Sequence, residues 1–195
     1  MGTAEAKTKI EKKTVLSVLN IGARLLVICL VVAAVVSLVN EVTKKRYAEL
    51  QEQEKANAMA AIFGVSSVTV TELSDPHIER NNCYAVQQGD ELLGFCVQVV
   101  TAGFGGDMTL MVGFNSDLAV VGVQILSHSE TPGLGAKVND AGYLSQYGGK
   151  TGDLALGEDI DAISGATISS KAVLAGVNEA QKSLRLHVVK EGDAQ

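Results

Sequence analysis

The chain has 195 residues, of which 47% are hydrophobic, and it carries a formal charge of −6 at pH 7. This acidic balance does not favour nucleic acid as a partner, and a chain with no Trp and only 4% aromatic residues offers no platform on which bases could stack. The length predicts one domain plus an appendage, and the apolar fraction favours a membrane segment beside a packed core.

The longest apolar run lies near the N-terminus. Residues 21–40 supply the roughly 20 mostly apolar residues that a spanning helix needs, with Arg24 near one end, where its long side chain can reach the interface. A cleaved signal peptide is the alternative, but its apolar core is shorter, about 7–15 residues. No small-residue cleavage site follows the run, which gives way to Asn40 and Glu41. A buried core helix fits less well, because no polar stripe interrupts the run.

Basic residues flank this segment on both sides. Those that precede or enter it are Lys7, Lys9, Lys12, Lys13 and Arg24, and those that follow it are Lys44, Lys45 and Arg46. The positive-inside rule therefore favours a cytoplasmic N-terminus only slightly.

The rest of the chain changes from helical to strand-like patterns. Residues 43–62 are rich in helix formers, and a loop is predicted at 74–82. Four short β-prone runs follow, separated by turn residues: Cys83–Gln87, Leu92–Val100, Thr109–Phe114 and Val120–Leu126. Helical periodicity returns from Ser169 to Leu184.

These patterns predict an α+β fold, in which a single N-terminal transmembrane helix precedes an antiparallel-sheet domain with packed helices. The predicted organisation is a cytoplasmic segment at 1–20, the transmembrane helix at 21–40, a helical stalk and linker at 41–75, and the sheet domain at 76–195.

The three cysteines do not form a recognisable metal site. There is no C-x-x-C pair, and the three His are scattered, so neither zinc nor an iron–sulfur cluster is predicted. Cys29 lies inside the apolar run. Cys83 and Cys96 could pair if the domain faced an oxidising compartment, although nothing else in the sequence suggests a disulfide scaffold.

The stretch from Asp161 to Ser170 is the most informative about chemistry. Its small residues 164–166 let another group approach the backbone closely, and Thr167 and Ser169 stand where the last helix begins. The unpaired N–H groups and partial positive charge of a helix start favour a phosphate. The alternative is a simple N-cap, since Asp, Ser and Thr are common at helix starts. The Gly-Lys-Ser/Thr ending of a Walker loop is absent.

The sequence Asp-x-x-Ser-Gly-Ala-Thr at 161–167 resembles the flavinylation motif of the FMN-binding domain family. In that family a flavin transferase joins FMN, through its phosphate, to the last Thr of the motif. The resemblance implies a phosphoester between FMN and Thr167.

A second match lies at 130–135, where Glu-Thr-Pro-Gly-Leu-Gly resembles a loop of the same family. Alone it would be a turn, because Pro132 presets one dihedral and the glycines permit others. Beside the first motif it implies a wall of the flavin site, with Thr131 bonding the polar edge of the flavin and Leu134 covering its apolar face. Glu130 is interpreted as a positioning residue or as a partner of the helix dipole. The stretch 94–106 fits a hairpin of the family less specifically.

The two motifs together imply a set of cofactor-binding residues. They are Thr167 as the attachment point, with Ser164, Gly165, Ala166, Ile168, Ser169, His128, Glu130, Thr131, Gly133, Leu134 and Gly135.

Within the family, the order of anchor and flavin domain resembles the G subunits of Rnf-type ferredoxin:NAD oxidoreductases. The resemblance implies an electron-relay subunit of an ion-translocating complex, with the other subunits and a flavin transferase as partners and no catalysis in isolation. A covalent link prevents loss of a cofactor outside the cytoplasm, so a single-pass cell-membrane protein with an extracytoplasmic flavin domain is expected. The alternatives are a C subunit of a sodium-pumping NADH:quinone reductase, a non-redox anchored module that holds a phosphate ligand, and a structural subunit.

Overall fold

The computed structural model describes residues 3–73 and 82–192 of the chain. The predicted loop at 74–82 lies outside these residues except for its last position. The chain divides into two compact units, Met1–Gln51 and Glu52–Gln195.

The first unit consists of the N-terminal part of one long helix, α1 (Thr3–Phe63). Within it, Gly22–Glu41 is long and apolar enough to cross a membrane by length and composition. Its Leu and Val side chains are all more than half exposed. A segment of this kind fits a single-pass membrane subunit.

The second unit is built on a five-stranded antiparallel sheet in which neighbours along the chain are neighbours in space. The strands are β1 (Thr69–Leu73), β2 (Asn82–Gln88), β3 (Glu91–Ala102), β4 (Asp107–Phe114) and β5 (Val120–Ser127). The antiparallel sheet is confirmed, and β2 to β5 begin and end within two residues of the predicted positions. β1 lies inside the range 41–75 that the sequence assigned to stalk and linker.

Because side chains alternate across a strand, each face of the sheet has its own apolar cluster. The inner cluster joins Val97, Leu110 and Val112 of the sheet to Val173 and Val177 of the last helix, α3 (Thr167–Gly192). The outer face packs against the last turns of α1, which belong to the second unit. The residues of this outer contact are Met59, Ile62, Tyr84, Val86, Cys96 and Met111.

The two buried cysteines of the sheet lie on opposite faces. Cys83 belongs to the inner cluster and Cys96 to the outer one, although they stand on paired strands. They therefore do not form a disulfide with each other. Burial raises the pKa of the Cys96 thiol to about 12.

The connection from β5 to α3 contacts both of these elements and contains short helical turns that the sequence did not predict. They are a 3-10 turn at Gly135–Asn139, the helix α2 (Ala141–Leu144) and a 3-10 turn at Ser145–Tyr147. The Tyr143 hydroxyl donates to the carbonyl of Ser170 at 3.3 Å, and the Ile163 N–H donates to the Ser170 hydroxyl at 3.1 Å. These bonds fix the position at which α3 begins.

Candidate functional site

A cavity of about 310 Å³ opens where three segments of the second unit meet. These segments are the loop between β3 and β4, the loop after β5, and the first turn of α3. The residues that line the cavity are Phe104, Glu130, Thr131, Leu134, Gly135, Gly165, Ala166, Thr167, Ile168 and Ser169.

The first turn of α3 forms one side of this cavity. Gly165 has a φ of +79°, a conformation that L side chains rarely adopt, and it turns the chain into the helix. Ala166 is buried, its carbonyl accepts the Ser170 N–H at 2.9 Å, and Thr167 is the first helical residue and exposed. The N–H groups of 167–169 have no intrahelical acceptors, because they lie in the first turn. The turn therefore presents N–H donors and a hydroxyl at the positive end of a 26-residue helix.

Three large apolar side chains stand exposed around the cavity. Phe104 is 68% exposed, Leu134 46% and Ile168 55%, and each comes from a different one of the three segments. Exposed apolar side chains that converge on a cavity are typical of ligand sites.

Glu130 is the one charged residue in the lining, and it is only 5% exposed. Its Oε1 accepts the N–H of Phe104 at 2.7 Å and that of Gly105 at 3.3 Å. Its Oε2 accepts the hydroxyl of Ser169 at 2.7 Å. One carboxylate thus holds together all three segments that form the cavity.

Burial by itself would raise the pKa of Glu130, but the bound donors favour the charged form more strongly. The hydrogen bonds from Ser169, Gly105 and Phe104, with His128 nearby, hold the pKa of Glu130 below its ordinary value. The carboxylate is therefore ionised at neutral pH.

Nine of the twelve predicted site residues line the cavity, and three do not. His128 lies behind Glu130, where its Nδ1 accepts the Glu130 N–H at 3.3 Å. Gly133 has a φ of +77° and forms the turn of the second motif, while Ser164 is exposed just before the first turn of α3. Phe104 lines the cavity but was not among the predicted residues.

The lining fits the parts of a flavin mononucleotide. The helix start suits its phosphate, and the exposed apolar side chains suit a flat aromatic ring. The cavity volume is near the lower end of the 300–1,000 Å³ that is usual for ligand sites, so a flavin here would keep part of its surface exposed. Among the described residues, no group of three His, Cys, Asp or Glu side chains could hold a metal ion.

Comparisons with known proteins agree with this geometry. The FMN-binding domain family matches residues 103–182, which include the three segments around the cavity. The crystal structure of NqrC from Shewanella oneidensis has the same fold, with a TM-score of 0.54 at 19% sequence identity. That match covers 65% of this chain and 89% of NqrC.

Sequence relatives narrow the assignment. The G subunit of the proton-translocating ferredoxin:NAD(+) oxidoreductase complex of Clostridium ljungdahlii is 30% identical, over 84% of this chain and 90% of that protein. The G subunit of an ion-translocating oxidoreductase complex of Methanosarcina acetivorans is 32% identical, over 80% of this chain and 88% of that protein.

Fold and site therefore define an FMN-binding domain preceded by an apolar helix. The chain belongs to the family of G subunits of ion-translocating oxidoreductase complexes, the Rnf type.

Proposed function

We propose that the second unit carries FMN as a phosphoester on the hydroxyl of Thr167 and relays electrons between subunits of an Rnf-type ferredoxin:NAD oxidoreductase. The observation that supports this most directly is the position of Thr167. This residue is exposed, opens the longest helix of the second unit and lines a cavity with apolar walls.

The polar side of the site supports a phosphate attachment. The helix dipole and the N–H groups of 167–169 would stabilise the negative charge of a phosphate placed beside the Thr167 hydroxyl. The bond would replace the hydrogen of that hydroxyl, so the reacting atom has to be accessible, and Thr167 is exposed.

The apolar side of the site supports an electron carrier. The bound flavin would supply the redox chemistry, while the protein supplies position and electrostatics. Phe104, Leu134 and Ile168 would hold the ring at the surface, where a neighbouring redox centre can come close.

The partners follow from the relatives. The Clostridium ljungdahlii and Methanosarcina acetivorans proteins are subunits of complexes that translocate ions, and we propose that this chain occupies the same position with other subunits around it. A flavin transferase would be needed for maturation. The cofactor would then stay on the protein without depending on binding affinity.

Intact mass measurement tests the attachment. The wild-type protein, made together with a flavin transferase, should gain the mass of one FMN less one water and fluoresce in a denaturing gel. Thr167→Ala should abolish both signals and leave the protein in the membrane. Thr167→Ser keeps a hydroxyl and should retain partial loading.

Thr151→Ala is the matched control, because it removes the same hydroxyl from an exposed position outside the cavity. It should load normally. Covalent flavin on Thr167→Ala would refute the assignment, and a colourless wild type with no added mass would favour a non-redox phosphate-binding module.

We propose further that the N-terminal segment is cytoplasmic, that Gly22–Glu41 spans the membrane and that the flavin domain is extracytoplasmic. A covalent cofactor is most useful where it cannot be replaced after dissociation. Cysteines introduced one at a time at Lys12 and at Asp107 test this with a membrane-impermeant thiol reagent on intact cells, in a chain with Cys29→Ala that keeps the buried Cys83 and Cys96. Labelling at Asp107→Cys alone is expected, and labelling at Lys12→Cys alone would overturn the orientation.

A further inference from the structure

We infer that Glu130 is a positioning residue of the flavin site, whose carboxylate ties the Phe104 loop to the first turn of α3 and places a fixed negative charge beside the flavin. The charge effect on the flavin rests on the proposed function. The positioning of the Phe104 loop does not depend on it.

The hydrogen bonds of Glu130 join residues that are far apart in sequence. Phe104 and Gly105 precede it by 26 and 25 positions, and Ser169 follows it by 39. Both carboxylate oxygens are used, and the residue is 5% exposed. Charge-assisted bonds are stronger than neutral ones, and losing this carboxylate would leave the buried Ser169 hydroxyl without its acceptor.

Two glycines lie against this carboxylate, at positions where any larger residue would overlap it. A Cβ at Gly103 would overlap Oε1 of Glu130, and a Cβ at Gly135 would overlap Oε2. The loop before β4 and the loop after β5 can therefore close on the carboxylate only because both carry glycine at the contact. The arrangement is a socket formed around Glu130 by both loops and Ser169.

Phe104 depends on this socket for its position. Its side chain is 68% exposed, so packing restrains it little, and its N–H bond to Glu130 is the shorter of the two bonds that join its loop to that carboxylate. Without that bond the loop tip would open more easily, as exposed loops with few buried contacts do. Glu130 therefore determines whether Phe104 stands as a wall of the cavity.

The charge of Glu130 is not neutralised by its donors. The two backbone N–H groups and the hydroxyl that donate to the carboxylate carry no formal charge, and His128, which also favours the charged form, is not among these donors. A negative charge in a partly water-excluded cavity disfavours the addition of an electron nearby, since charges are screened less there than in water. The expected result is a flavin that is harder to reduce.

Two substitutions separate the two roles. Glu130→Gln keeps the shape, since its carbonyl can accept from the Phe104 loop and its amide can donate to the Ser169 hydroxyl, but it removes the charge. Glu130→Ala removes both. Glu91, exposed at the start of β3, provides matched controls with the same substitutions.

Amide hydrogen exchange tests the positioning role without any flavin. The full-length chain, purified in detergent and made without a flavin transferase, is followed by mass spectrometry on peptides that contain Phe104 and Gly105. Glu130→Ala should speed exchange of these amides at least about tenfold, the equivalent of about 1.4 kcal/mol, and Glu130→Gln should restore most of the protection. Unchanged exchange in Glu130→Ala would overturn this role.

If Glu130→Ala does not fold, Ser169→Ala provides a second test, because it removes only the link to α3. It should speed exchange of the same amides, and normal protection there would count against the inference.

Potentiometric titration of the loaded protein tests the role of the charge. At a fixed potential, Glu130→Gln should raise the ratio of reduced to oxidised flavin about tenfold, or about 59 mV for a one-electron step. Glu91→Gln should leave the potential unchanged. Equal potentials for wild type and Glu130→Gln would refute the charge effect, whereas a wild type that never acquires flavin would refute the proposed function and leave the exchange result to decide the positioning role.

Discussion

The chain exposes large apolar side chains in two places, and the two surfaces have different neighbours. Along Gly22–Glu41, leucines and valines are exposed on all sides of the helix, and the window contains few polar residues. At the cavity, three apolar side chains of similar exposure converge, and a helix start, a hydroxyl and a buried carboxylate stand directly beside them.

The comparison shows that exposure of apolar area does not by itself identify a function. A long, continuous apolar surface without polar neighbours is what a lipid bilayer requires. A small apolar patch bordered by oriented donors is what a ligand with one polar end and one flat apolar end requires. The polar groups at the border therefore distinguish a membrane segment from a binding site.

The largest effect is expected from placing charge on the apolar surface of Gly22–Glu41. Val32→Asp together with Val35→Asp puts two carboxylates in the middle of the span, at a cost of about 5–7 kcal/mol for the pair. The protein should move from the fraction that resists alkaline carbonate extraction to the soluble fraction. The same substitutions at Val100 and Val121, exposed valines of the second unit, should leave the membrane fraction unchanged. Membrane retention of the Val32/Val35 double variant would mean that this segment is not the anchor.

An intermediate effect is expected at the turn into α3. Gly165→Val adds a β-branched side chain at a φ of +79°, which L side chains rarely adopt, and places its Cβ 3.1 Å from Leu134 Cδ1, so the Leu134 side chain must move slightly aside and the turn is strained. We expect loss of flavin loading by intact mass, with about 1–3 kcal/mol of destabilisation in thermal unfolding.

Gly149→Val is the control for that experiment. Gly149 has a φ of +75°, but apart from its chain neighbours no described residue lies within 4 Å of the place that a Cβ would occupy, so the variant carries the strain without the contact. It should be destabilised to a similar degree and still load flavin. Equal flavin loading in Gly165→Val and Gly149→Val would mean that the turn at Gly165 connects two segments and has no role in flavin attachment.

The two surfaces also differ in how far the sequence reveals them. The apolar segment Gly22–Glu41 is contiguous, so hydropathy and length locate it, and the strands β2 to β5 are found because their alternation is local. β1 was assigned to the linker, since its five residues carry two threonines and a glutamate and mostly face solvent at the sheet edge. The short turns between Gly135 and Tyr147 have no period that could reveal them.

The two motifs predicted where the cavity lies, but they did not predict the hydrogen bonds that organise it. The motifs located nine lining residues through a family resemblance, whereas the bonds from Glu130 to Phe104 and Ser169 join three distant segments that no local pattern connects. The available signal was the clustering of glycine around Phe104, at 103, 105 and 106, which is unusual for a simple hairpin. His128 was expected in the site because it adjoins a motif; it lies outside the cavity lining, where it accepts the Glu130 N–H and helps to hold the pKa of Glu130 below its ordinary value.

The smallest effect is expected from shortening one of the apolar side chains that line the cavity. This substitution is also the most direct test of the cavity as a ligand site. Leu134→Ala removes a side chain that is 46% exposed, so folding stability should change by less than about 0.5 kcal/mol, as is usual for surface positions. Under the proposed function the flavin would stay attached through Thr167 but lose apolar contact worth about 1 kcal/mol. Iodide should then quench its fluorescence more efficiently. Leu92→Ala is the matched control, because Leu92 is 42% exposed but does not line the cavity. Equal quenching in the two variants would mean that Leu134 is simply an exposed leucine, like those of Gly22–Glu41, and has no part in holding a ligand.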